Sequence, residues 1–113
     1  MHPIYKAMKA RLERLSPDTL LAYGITWGDT CGCLLAATTP GLTEDNHPDY
    51  SDVFEKAVRS FDNPEADNLL SALVNEYDET CTEHFGEQRT TTVGWVLEQW
   101  QVIAQRAETR AGS

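Results

Sequence analysis

At 113 residues, 41% hydrophobic and 24% charged, the chain is long enough for one domain with one core and too short for two. Nine Lys and Arg against eighteen Asp and Glu give a formal charge of −9, which repels a phosphate backbone over most orientations and argues against direct nucleic-acid binding. Three cysteines cannot all pair within one chain, no apolar run reaches membrane-span length, and the opening MHPIYKAMKARLERL lacks a continuous signal-peptide core, so a cytoplasmic protein with reduced thiols and no membrane contact is expected.

Pro3 suits a first helical position, and Ile4, Tyr5, Met8, Leu12 and Leu15 then fall on one face, predicting a first helix over 3–15. Lys6, Lys9, Arg11 and Arg14 give it a basic rim. Ser16-Pro17-Asp18 offers an N-cap, a proline at N1 and an acidic first turn, with Gly24 as a stop, which predicts a short second helix over 17–23. Residues 25–29 read as a turn that tucks Trp27 into or onto the core, and Asp29 or Thr30 caps a third helix through CGCLLAATT. On that helix Cys31, Leu34, Leu35 and Thr38 share a face that Cys33 does not. Residues 41–49 form a polar loop. Val53, Phe54, Ala57, Val58 and Phe61 predict a fourth helix over 50–62, and Asn63-Pro64 opens a long fifth one near 64–85. Its apolar face runs Leu69, Leu70, Leu73, Val74, Tyr77, Cys81 and His84 or Phe85, and Gly86 ends it. Thr90, Thr91 and Thr92 supply a cap for the last helix, near 91–108, and residues 111–113 should fray. With no repeat and no strand pattern, the expected fold is all-α, a compact bundle of about six helices in a single domain spanning 1–113.

The last helix carries the clearest signal. Val93, Val96, Leu97, Trp100, Ile103, Ala104 and Ala107 make a core face, while Trp95, Gln99 and Val102 form a second stripe well away from it. Either neighbouring helices cover both stripes and this helix is central, or the second stripe is exposed and meets a partner.

Three groups could carry chemistry. Cys31, Cys33, Cys81 and His84 are a ligand set suited to structural zinc, provided that Cys33 can turn toward Cys31, which a helix there forbids. The other reading makes Cys31 and Cys81 small buried hydrophobes, with His84 at the core's edge. Cys81 with His84 also has the composition of a nucleophile and its base, but Cys81 sits mid-stripe among carboxylates that would raise its pKa. Asp49, Asp52 and Glu55 before the stripe of the fourth helix, with Glu76, Glu79 and Glu83 on the fifth, resemble in spacing the acidic helices that hold magnesium in all-α nucleotide pyrophosphohydrolases. In helical projection these carboxylates flank or oppose the apolar stripes, which favours a solvated face. No Gly-rich phosphate loop, Ser-His-Asp set or His-Glu-x-x-His occurs.

The segments CGCLLAATTPG, LVNEYDE and RTTTVGWVLEQW together resemble small helical proteins of phages and actinobacteria, although Cys33-Leu34-Leu35-Ala36 lacks the glycine of their pattern. The resemblance implies a helical fold and a phage origin, and transfers no site residue. The expected function is that of an acidic, non-catalytic protein-interaction module without a resident cofactor, a regulatory or inhibitory binder of a basic or nucleic-acid-binding protein, with a homodimer as another arrangement. Its contacts would be Trp95, Gln99 and Val102 with the rows Asp49, Asp52, Glu55 and Glu76, Glu79, Glu83. The alternatives are the zinc-stabilised domain and a small magnesium-dependent nucleotide hydrolase.

Overall fold

Two long amphipathic helices form the frame: α4 (Ala66–Phe85) and α5 (Val93–Ala111). They run antiparallel, since Trp95 lies against Phe85 at one end and Arg110 reaches Glu76 and Glu79 at the other. The computed structural model describes residues 1–23, 32–39, 50–88 and 90–112, with backbone only for 32, 33 and 50–52. The predicted turn carrying Trp27, the side chains of Cys31, Cys33, Asp49 and Asp52, and the 41–49 loop therefore lie outside the described residues.

Local chemistry sets the helix ends. α1 (Pro3–Glu13) starts on a proline, with the His2 ring accepting the Ile4 N–H. At α5 the Thr92 hydroxyl accepts the Trp95 N–H, as the threonine run predicts. α4 stops at Gly86, whose φ of 62° is a conformation that a side chain would strain. Two shorter helices, α2 (Leu34–Thr38) and α3 (Tyr50–Arg59), complete a mostly all-α fold with five α-helices among the described residues. α1 packs on α5 and α2, and α3 on α2 and α4. Ile4, Tyr5, Met8 and Leu12 of α1, Leu69, Leu70, Leu73 and Tyr77 of α4, and Val96, Trp100 and Ile103 of α5 join one continuous buried cluster.

The bundle also contains a small sheet, where the sequence predicts none. β1 (Leu20–Ala22) lies between β2 (Gly32–Cys33), which is parallel to it, and β3 (Thr90–Thr92), which is antiparallel. The register pairs Leu20 with Thr92, Leu21 with Thr91 and Ala22 with Thr90. The predicted helix over 17–23 is thus a turn followed by a strand. A seven-residue helix is marginal by itself, whereas a run of β-branched threonines offers a pleated partner. Thr19 and Pro17 carbonyls also accept the first two N–H groups of α5, from Val93 and Gly94. A Cβ on Gly94 would lie 3.3 Å from the Pro17 carbonyl oxygen, so a bare backbone suits that approach. The predicted third helix likewise begins as β2 and becomes helical only at Leu34. At the chain's end Ala111, expected to fray, is still helical, and its carbonyl accepts from the Asn68 amide.

Leu73 is fully buried on α4, whereas the Glu79 side chain is 57% exposed. Leu73→Ala should therefore cost roughly 2–5 kcal/mol in chemical denaturation, and Glu79→Ala less than about 1 kcal/mol. Equal losses would mean that the helical phase of α4 is wrong.

Candidate functional site

The second stripe of α5 is neither central nor bare. Trp95 and Gln99 are half-buried, and Val102 is 43% exposed. The end of α4 covers the stripe on one side: the His84 ring centre lies 5.1 Å from that of Trp95, and Phe85 meets the indole edge-on at 4.7 Å. This leaves a hollow of about 330 Å³ along the seam, lined by Thr80, Glu83 and His84 from α4 and by Trp95, Gln99, Val102 and Arg106 from α5. Thr80 is buried, and its hydroxyl finds no hydrogen-bond partner among the described residues. A second hollow continues past Val102 and Arg106 to Glu76, Gln105, Thr109 and Arg110. Val102 is the apolar ridge between the two.

The acidic row of α4 faces cations of its own chain. Arg110 Nη2 lies 2.9 Å from a Glu76 oxygen and 3.0 Å from both Glu79 oxygens, and Arg106 stands 3.9 Å from Glu83. The hydrogen bond to Glu79, and then the charges of Glu76 and Glu79, hold the Arg110 guanidinium above its ordinary pKa. Glu76, assigned by the sequence to a solvated row, is buried with only 8% exposure, because Arg110 folds over it. Glu83 stays 69% exposed. Glu55 pairs with Arg59 one turn along α3, so the described members of the two acidic rows serve different neighbours and do not converge on one site.

The Cys81 thiol is fully buried, while His84, expected on the same face, is exposed. The two stand about 60° apart around the helix, enough to put one inside and the other beside Trp95. Burial, reinforced by the Asp78 carboxylate and opposed by a hydrogen bond with Tyr77, pushes the Cys81 thiol up to about 12, unlike an activated nucleophile. Among the described residues no cluster of three or more His, Cys, Asp or Glu is placed to hold a metal ion, and the zinc reading rests on Cys31 and Cys33, whose side chains lie outside them.

Sequence reasoning left Thr80, Arg106 and Arg110 out of the candidate site. The two arginines have a signal in the sequence, since Arg106 and Arg110 are one turn apart on α5 and Glu76, Glu79 and Glu83 have matching helical spacing on α4; Thr80 has none. No helix among the described residues is long and apolar enough to cross a membrane. The chain matches no protein-family model, no curated protein and no solved structure.

A variant keeping only Cys81, with Cys31→Ser and Cys33→Ser, should resist a maleimide at pH 8, where a pKa near 12 leaves about one thiolate in 10⁴. The raised pKa favours the neutral thiol in the fold, so this stability is complete below the unfolded pKa of about 8.5 and is lost as pH rises toward 12. The denaturation midpoint of the parent should consequently drop more between about pH 7 and pH 10 than that of Cys81→Ala. Rapid labelling of the folded protein, or identical pH slopes, would place the thiol at the surface.

Proposed function

We propose that this chain is a small acidic helical module that acts in the cytoplasm by binding another protein across the α4/α5 seam, without catalysis of its own. The observation that carries the reading is Val102. It stands exposed between two hollows, on a helix whose Val96, Trp100, Ile103, Ala104 and Ala107 are all buried. Half-covered Trp95 adds an aromatic wall of the kind that anchors protein contacts.

Charge supports a basic partner, such as a nucleic-acid-binding protein that a phage-type regulator or inhibitor would occupy. Arg106 and Arg110 answer part of the seam's acid, but Glu83, Glu87 and Glu98 are exposed, on a chain of net charge −9. Such a surplus steers encounter more than it adds affinity, leaving the apolar ridge to set the lifetime of the complex.

Val102→Glu tests the reading. The variant should unfold within about 0.5 kcal/mol of the parent, as exposed positions do. It should also fail to retain basic proteins that the immobilised parent retains, because docking would bury an unpaired carboxylate. Destabilisation by several kcal/mol would mean that Val102 belongs to the fold's interior, and unchanged retention would remove the seam as the docking face. Light scattering on both proteins reveals whether the lost partner is a second copy.

A further inference from the structure

Charges along the α4/α5 seam are unevenly matched. The α4 row brings three carboxylates there, Glu76, Glu79 and Glu83, and α5 answers with two guanidiniums, Arg106 and Arg110. Arg110 takes Glu76 at 2.9 Å and Glu79 at 3.0 Å. Among the described residues Glu83 is left with Arg106 alone, at 3.9 Å, beyond hydrogen-bond reach. Glu83 is 69% exposed and Arg106 51%, so the contact adds little to the fold and yields readily. Arg106 also borders the second hollow beyond Val102, which gives it an alternative position.

Beside Glu83, the hollow of about 330 Å³ presents acceptors and an aromatic wall. Thr80 is the one buried residue that lines it, at 8% exposure, and its hydroxyl has no partner among the described residues. A buried hydroxyl without a bond is unfavourable, and an entering donor relieves it. The Gln99 carboxamide offers another acceptor, Trp95 and His84 form the wall, and Val102 adds an apolar edge.

A ligand that suits this set is cationic, flat and rich in donors. An ammonium is a compact, strongly hydrated point charge, whereas a guanidinium lies flat on an aromatic ring and sends N–H groups outward in its own plane, toward acceptors on more than one side. The seam already holds one such group, Arg110, against Glu76 and Glu79. We infer that the hollow is a socket for an arginine side chain of the docking partner, whose guanidinium displaces Arg106, pairs with Glu83, lies against Trp95 and donates to Gln99 and to a Thr80 hydroxyl that turns to meet it. The inference rests on the seam being the docking face, and it names the residue type that the basic partner brings there.

An NMR titration of the nitrogen-labelled full chain with N-acetyl-arginine amide, at about pH 8 and low salt, tests the socket. The Trp95 indole N–H and the Gln99 carboxamide should shift with a saturable midpoint in roughly the millimolar range, as suits a ligand of this size. N-acetyl-lysine amide should bind about fivefold more weakly. Glu83→Gln should weaken the arginine probe about tenfold, through the loss of a charge-assisted contact. Arg106→Gln should tighten it about threefold by removing the competitor for Glu83. Both positions are more than half exposed, so the variants should fold as the parent does. Equal binding of the lysine probe, the absence of a saturable shift, or weaker binding by Arg106→Gln, which would make the hollow an anion site, overturns the socket. Its failure and that of the docking face are distinguishable. Arginine binding indifferent to Glu83, with basic-protein retention lost in Val102→Glu, sinks the socket alone. Glu83-dependent arginine binding, with retention unchanged by Val102→Glu, supports a guanidinium site and sinks the docking face.

Discussion

Inside the bundle, the Trp100 indole N–H donates to the Tyr5 carbonyl at 3.2 Å, and the Tyr5 hydroxyl donates to the Leu69 carbonyl at 2.7 Å. This short relay joins α5 to α1 and α1 to α4 within the buried core, where an unpaired indole or phenol would be costly. It fixes the depth of α1 against the two long helices. Burial, with the Glu108 charge added, holds the Tyr5 phenol well above its ordinary pKa, so the relay keeps its proton throughout the physiological range. The end of α5 and the start of α4 are then brought to the N-terminal segment, where His2, Glu65 and Glu108 meet.

Two other tyrosines do the same for the sheet. Tyr77 of α4 donates to the Ala22 carbonyl on β1, and Tyr23, just beyond β1, donates to the Gly86 carbonyl after α4, both at 2.7 Å. The strands are too short to stand as an independent sheet, and they persist because α4 and the Gly86 that follows it supply one donor and one acceptor on one side while α5 is capped against Pro17 and Thr19 on the other. Phe85, His84 and Trp95 close this end of the seam, so the position of the candidate site depends on the sheet that caps it.

The seam also governs how the chain's acidity is used. A −9 charge suggests an open acidic face, but α5 returns two arginines to the α4 row. The Arg110 contacts make geometric sense as two carboxylates around one guanidinium, whereas the Arg106 contact to exposed Glu83 is long and worth little. What remains for a partner is narrower than the acidic rows imply: an apolar ridge at Val102, an aromatic wall at Trp95, and the unspent carboxylates around them.

Helical periodicity is a local property, and through α1, α3, α4 and α5 the sequence alone places the helices and most of their buried faces. The faces of α1, α3, α4 and α5, the proline start of α1, the Thr92 cap and the Gly86 stop all follow from residues within one turn of each other. The second stripe of α5 was legible for the same reason, as were Trp95, Gln99 and Val102 as its members. Whether it was covered was not, because that depends on where the last turn of α4 comes to rest. The strand at Leu20–Ala22 was hidden for a related reason: its hydrogen-bond partner, Thr90–Thr92, lies almost at the other end of the chain, and three residues are too few to show a period of two. Glu76 and His84 exchanged their expected places because a residue at the border of a helical stripe is buried or exposed according to its neighbour across the groove. Arg110 covers the one and Trp95 leaves the other outside, and only the tertiary structure sets those two neighbours.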